Sequence, residues 1–186
     1  MFLEKLNLKE SPQYYESGDS PYNNLKFNEE KTQKVLKDGE YLEDLNYSGG
    51  IVKIYLIKNY NEYSYFLIKM DKPIIVGVYE CNKMENYIEN KYIWNLSWCR
   101  GLIREFLDKY ILPRWNIISS DALLSKAGFE YWKRIFDKYV NVDKTHILKA
   151  YNDETGKYTK ISSLKSMDKY FADDDKDNYR FLLIKL

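Results

Sequence analysis

Hydrophobic and polar residues alternate along the first of three consecutive segments that have the composition of β-strands, in the first half of the chain. The segments are residues 51–59, 62–70 and 73–81, and all three are rich in β-branched and aromatic residues. Short polar turns separate them, and the second turn contains Asp71 and Lys72. The pattern therefore predicts a meander of three antiparallel strands joined by hairpins.

The second half of the chain alternates between helical and extended patterns. Helices are predicted where apolar residues recur at the period of 3.6, and strands where a short apolar run is bounded by turn residues. The predicted elements are strands at 92–99, 115–119, 145–153 and 179–186, and helices at 101–112 and from Ser120 or Asp121 onward.

This order predicts an α/β fold of the α+β kind, with a mixed, mostly antiparallel central sheet. One β-α-β crossover joins the fourth and fifth predicted strands, which makes these two strands parallel. A mixed sheet splays where the pairing changes direction, and ligands favour such a break.

The first 48 residues differ from the rest of the chain. They are polar and weakly periodic, with one predicted helix at 28–45 that is interrupted at Asp38-Gly39. Gly49 and Gly50 close the segment. We therefore expect a polar N-terminal extension at 1–48 and a main domain at 49–186.

Composition excludes several classes of function. Hydrophobic residues make up 45% and charged residues 31% of the 186 residues, as in ordinary globular domains. The net charge of +1 gives no global attraction to nucleic acid, so such binding needs a local patch. No apolar run reaches the roughly eighteen residues of a membrane span. The two cysteines, Cys81 and Cys99, form no secreted disulfide framework, so we expect a cytoplasmic protein.

Metal and nucleotide motifs are missing from the sequence. His146 is the single histidine, which makes a Cys/His zinc site or a Ser-His-Asp triad improbable, and we expect no metal. Neither of the common glycine-rich nucleotide loops is present. The abundant Tyr, Lys, Asn and Ile are typical of an AT-rich genome, such as that of a phage.

A distinctive turn joins the fourth predicted strand to its helix. Cys99, Arg100 and Gly101 form the turn, and Arg104 lies one helical turn further on. The piece "WCRGLIREFLDKY" resembles the phosphate-binding loop of the GNAT superfamily of acyl-CoA-dependent N-acyltransferases, and the resemblance covers roughly residues 51–153. In that family, backbone N–H groups at a helix N-terminus bind the pyrophosphate of coenzyme A, a role that the helix dipole favours. A single glycine replaces the family's spaced pair.

The resemblance implies an acetyl-CoA (acyl-CoA) co-substrate and a primary amine acceptor. The residues expected to bind the cofactor are Cys99, Arg100, Gly101, Leu102, Ile103 and Arg104. Ser119 and Asp121 are expected where the acceptor enters, with Asp121 accepting the proton of the amine. Either Tyr131 or Tyr139 is expected to protonate the departing thiolate. A protein lysine, a small molecule and a nucleobase all remain open as acceptors.

A second class of function fits the same fold. A phage-encoded chain of this type that has lost its chemistry is expected to act by binding and inhibiting a host protein. Tyrosine is a frequent anchor residue at protein interfaces, and the N-terminal segment supplies candidates for that role. These candidates are Tyr14, Tyr15, Tyr22 and Tyr41.

Overall fold

The computed structural model describes residues 20–120, 126–172 and 178–186, which form nine strands and four helices. The strands are β1 (Glu40–Tyr47), β2 (Gly50–Asn59), β3 (Glu62–Lys69), β4 (Ile74–Lys83), β5 (Ile88–Asn95), β6 (Ile117–Ser119), β7 (His146–Asn152), β8 (Tyr158–Lys160) and β9 (Tyr179–Lys185). The helices are α1 (Leu25–Asp38), α2 (Leu102–Phe106, continued by a π-helical turn at Leu107–Ile111 and a helical turn at Leu112–Arg114), α3 (Lys126–Ile135, continued by a π-helical segment at Phe136–Val142) and α4 (Leu164–Ala172).

All nine strands belong to one mixed sheet, in the order β1-β2-β3-β4-β5-β6-β9-β7-β8. Every neighbouring pair is antiparallel except β5 and β6, which are parallel and have α2 between them in the chain. The predicted α+β class and the mostly antiparallel sheet are confirmed.

Helices cover both faces of the sheet. Phe106 of α2 packs on one face, with its ring centroid 5.5 Å from that of Tyr65 and 5.6 Å from that of Tyr79. The neighbouring residue Val78 points to the other face and belongs to the hydrophobic cluster beneath α1. Burial on both faces explains why β4 is an almost continuous apolar run rather than an alternating one. None of the described helices is long and apolar enough to cross a membrane.

Three of the predicted elements are wrong in their bounds or type. The helix predicted through residue 45 ends at Asp38, because the following residues pair with β2 as strand β1. Strand β5 begins at Ile88 rather than at residue 92, in a stretch whose polar residues hide its extended pattern. The region after β7, predicted as a loop, contains β8 and α4.

The boundary predicted between residues 48 and 49 falls in the turn between β1 and β2, which pair with each other from Glu40 to Tyr47. The division into an extension and a main domain stays a prediction, which deletion of residues 1–48 would test.

Asn28 of α1 connects this helix to the sheet. Its Nδ2 donates to the carbonyl oxygens of Tyr22 at 3.0 Å and Ile75 at 2.9 Å, and its Oδ1 accepts from the Ile75 N–H at 3.0 Å. The hydroxyl of Thr32 donates to the same Oδ1 at 3.2 Å. Asn28 is only 1% exposed, so its amide is fully hydrogen-bonded within the protein.

We expect Asn28→Ala to lower the free energy of unfolding by about 2–4 kcal/mol, because it leaves two buried carbonyl groups without donors. Urea denaturation measures the change. Asn61→Ala is the matched control, since the Asn61 residue is exposed in the turn after β2. A loss for Asn28→Ala no larger than that of the control would contradict this role.

Candidate functional site

One side of β5 is mostly unpaired. The parallel strands β5 and β6 pair at two positions, Ile88 with Ile118 and Glu89 with Ser119, where β6 ends. No described strand pairs with the rest of β5 on that side, and we call this edge the opening. On its other side, β5 carries one extra residue relative to β4, because Cys81 pairs with Asn90 while Glu80 pairs with Tyr92. Such bulges bend a strand and are frequent next to active sites. The opening therefore begins at Asn90, where the parallel pairing has just ended.

Asn90 is buried at the start of this opening and is 6% exposed. Its Oδ1 accepts a hydrogen bond from the hydroxyl of Tyr79. Its Nδ2 is buried without a hydrogen-bond partner among the described residues. An unsatisfied buried donor costs about 1–3 kcal/mol. A ligand with a hydrogen-bond acceptor at this position would satisfy the donor.

The hydroxyl of Tyr131, on α3, is a second buried group without a partner in the described part of the chain. Burial, followed by the charges of Cys81 and Tyr131, raises the pKa of Tyr79, so the Tyr131 and Tyr79 hydroxyls lie within electrostatic range of each other. Burial also raises the pKa of Tyr131, and the Asp108 carboxylate raises it further. Tyr131 is therefore a protonated hydrogen-bond donor throughout the physiological pH range.

Tyr139, the other predicted acid, is already engaged. Its hydroxyl donates to Asp108, which also forms an ion pair with Lys138. Burial raises the pKa of Tyr139, and the hydrogen bond to Asp108 raises it further. The contact joins the two π-helical segments of α2 and α3, and such segments are frequent at functional sites. No spacing in the sequence indicates that Asp108 and Lys138 meet.

The two serines at the end of β6 form hydrogen bonds within the sheet. The Ser119 hydroxyl is fully buried and donates to the carbonyl oxygen of Ser120 at 2.8 Å. The Ser120 hydroxyl accepts from the backbone N–H of Phe181 on β9 at 2.9 Å. Asp121, the predicted base, lies outside the described residues. The catalytic assignments of Ser119 and Asp121 stay predictions.

The predicted cofactor turn lies at the other end of β5. Cys99 is fully buried, and its sulfur accepts a hydrogen bond from the Tyr47 hydroxyl at 3.6 Å. Burial raises the pKa of the Cys99 thiol, which makes it unreactive. Gly101 precedes α2 with a φ of 80°, a left-handed conformation that favours glycine. The side chains of Leu102 and Ile103 are buried in the core, so these two residues have only backbone groups to offer a ligand.

The first turn of α2 favours an anion. The Leu102 N–H bonds to the Cys99 carbonyl at 3.2 Å and the Glu105 N–H to the Gly101 carbonyl at 3.0 Å. The N–H groups of Ile103 and Arg104 have no partner among the described residues. Arg100 and Arg104 are exposed, and the described residues provide no acidic partner for either. Free N–H groups and unpaired guanidinium groups together favour phosphate binding.

Comparison with known proteins does not assign this chain to a family. No protein-family model matches the chain, and no curated protein matches it. Membership of the GNAT superfamily therefore stays a prediction.

Tyr131→Phe and Tyr139→Phe form a matched pair that tests the difference between the two hydroxyls. Tyr131→Phe should leave the free energy of unfolding unchanged or raise it by about 1 kcal/mol, because the lost hydroxyl has no hydrogen-bond partner among the described residues. Tyr139→Phe should lower it by about 1.5–3 kcal/mol, because it breaks a hydrogen bond to a charged group. Chemical denaturation of both variants measures this. Equal losses in the two variants would show that Tyr131 is also bonded.

Proposed function

We propose that this chain is an N-acyltransferase of the GNAT type, which transfers an acetyl or other acyl group from acyl-CoA to a primary amine. The observation that carries the proposal is the end of the β5–β6 pairing next to Asn90, together with two buried polar groups, Asn90 Nδ2 and Tyr131 Oη, that have no partner among the described residues. The anion-favouring turn at Arg100–Arg104 follows at the far end of the same strand.

The length of β5 suits an extended coenzyme. A strand rises about 3.3 Å per residue, so the five steps from Asn90 to Asn95 span about 16 Å. The pyrophosphate would bind the N–H groups of Ile103 and Arg104, with Arg100 and Arg104 adding charge-assisted hydrogen bonds. The pantetheine arm would then extend along β5 and bring the thioester to Asn90.

The reaction needs one new bond and two proton movements. The amine nitrogen attacks the thioester carbonyl, a C–N bond forms, and the C–S bond breaks. Asp121 or a water molecule accepts the proton of the amine, and the departing thiolate takes up a proton.

Tyr131 is the better placed of the two predicted acids, since the proton of Tyr139 is donated to Asp108. Its raised pKa changes the role expected from the sequence. An ordinary thiol has a pKa of about 8.5 and an ordinary tyrosine about 10, so full proton transfer from Tyr131 to a thiolate is unfavourable. We therefore assign Tyr131 as a hydrogen-bond donor to the developing negative charge, with the thiolate protonated by solvent.

The acceptor is a primary amine of a protein lysine, a small molecule or a nucleobase, in a phage host or on nucleic acid. In this proposal, the acceptor would enter beyond Ser119, the last residue of β6.

Isothermal titration of the full chain with CoA and acetyl-CoA tests the cofactor site. We expect the double variant Arg100→Ala/Arg104→Ala to weaken binding by about 2–4 kcal/mol, because two charge-assisted contacts are lost. Arg134→Ala is the control, since Arg134 is an exposed arginine on α3. Absence of binding to the wild-type protein at millimolar acetyl-CoA would refute the proposal.

A specific observation favours the alternative, a binding protein without catalysis. Trp98 is 58% exposed and Leu25 is 61% exposed, and both line an open groove of about 950 Å³ between α1 and the β3–β4 turn. Exposed tryptophan is a frequent anchor of protein interfaces. Tyr22, expected as an exposed anchor, is instead buried at 7% exposure, whereas Tyr41 is 48% exposed. Tyr14 and Tyr15 lie outside the described residues.

A further inference from the structure

The hairpin of β7 and β8 carries two adjacent tyrosines on its outer face. Tyr151 and Tyr158 are directly paired across the hairpin, with ring centroids 4.7 Å apart and ring planes tilted by 34°. Their neighbour Ala150 points the other way, into the core. Tyr158 is 60% exposed, so the pair presents an aromatic surface to solvent.

Two lysines face each other beside these rings. Lys149 of β7 is paired with Lys160 of β8, so both side chains lie on the tyrosine face. Like charges directly opposite each other in a sheet are destabilising. Neither lysine has an acidic partner among the described residues, and the Lys149 ammonium lies 5.7 Å from the centroid of the Tyr158 ring.

The acidic residues described beside this face pair with Arg180 rather than with the two lysines. Asp153 accepts a hydrogen bond from Arg180 at 2.7 Å, and Glu89 also pairs with Arg180. The remaining acid of the hairpin, Glu154, is exposed in the turn. The described residues of this face carry three positive charges, from Lys149, Lys160 and Arg180, and two negative charges, from Asp153 and Glu89, which leaves an excess of one positive charge.

Protection of a sheet edge does not account for both lysines. Edge strands often carry lysine to block pairing with other chains, and β8 is an edge strand. Lys149, however, lies on β7, which is enclosed between β9 and β8. The repulsion between Lys149 and Lys160 therefore needs another explanation, since β7 is not an edge strand. A bound ligand with negative charge would remove this repulsion.

We infer that this face, defined by Lys149, Tyr151, Tyr158 and Lys160, binds single-stranded nucleic acid. The lysines would neutralise phosphates, and a base would stack on Tyr158. A duplex fits poorly, because its bases are stacked on each other and cannot reach a ring on a flat sheet. An acidic peptide would use the lysines but not the exposed ring face. The inference does not depend on the proposed acyltransferase activity.

Fluorescence anisotropy of the full chain with a labelled 12-nucleotide single-stranded DNA, at several salt concentrations, tests this inference. Tyr158→Ala should weaken binding about tenfold at every salt concentration, because it removes a stacking platform. Lys149→Gln/Lys160→Gln should weaken binding and reduce the salt slope by about 1.4, or about 0.7 per lost phosphate contact. The same lysine variant should keep or raise the melting temperature, since it removes the repulsion between the two lysines.

Two control variants and two control ligands make the result decisive. Tyr60→Ala removes a tyrosine that is 97% exposed in the turn after β2, and Lys165→Gln removes an exposed lysine on α4. Neither control should change binding. The inference is overturned if the DNA does not bind, if the hairpin variants bind as the wild type does, or if a matched duplex or a poly-glutamate peptide binds as tightly as the single strand.

Discussion

The short parallel contact between β5 and β6 is the constraint on which the rest of this structure depends. Two residue pairs, Ile88 with Ile118 and Glu89 with Ser119, join the five-stranded antiparallel half of the sheet to the half built from β6, β9, β7 and β8. A parallel connection requires a crossover, and α2 supplies the helix between the two strands. Beyond Glu89, no described strand pairs with β5 on this side, and Asn90 lies at the start of this unpaired edge.

Two buried asparagines show how differently the fold treats polar groups. The amide of Asn28 makes hydrogen bonds through both its nitrogen and its oxygen and connects α1 to β4. The amide of Asn90, which is buried to a similar degree, keeps an unpartnered Nδ2 among the described residues. The amide of Asn28 has all its hydrogen bonds, whereas burial of the unbonded Asn90 Nδ2 is unfavourable for the stability of the fold. A ligand that accepts a hydrogen bond from Asn90 Nδ2 would remove this unfavourable contribution.

Much of the sheet could be predicted from sequence because local pattern and final environment agree. Strands β2, β3 and β4 alternate or run apolar as their burial requires, and their predicted bounds lie within about two residues of those observed. The sequence predicts helix for residues 40–45, where the observed structure is strand β1. Residues such as Glu40 and Leu45 fit both the helical and the strand pattern of polar and apolar positions, and the pairing with β2 selects the strand.

The chemistry of the candidate site was harder to predict than its location. The sequence indicates the turn at Gly101, because an arginine and a glycine before an amphipathic helix are a local signal. Contacts between distant residues leave no such signal. Asn90 lies in a polar stretch that does not look like a strand, and Asp108 meets Tyr139 only because two helices pack together.

Hydrogen–deuterium exchange with and without acetyl-CoA tests the central claim most directly, namely that the opening between β5 and β6 and the first turn of α2 form one ligand site. The account predicts slower exchange at the backbone amides of Ile103 and Arg104 and along β5 from Asn90 to Asn95. Protection confined to another surface, such as the β7–β8 hairpin, or no change in exchange at saturating acetyl-CoA, would contradict it.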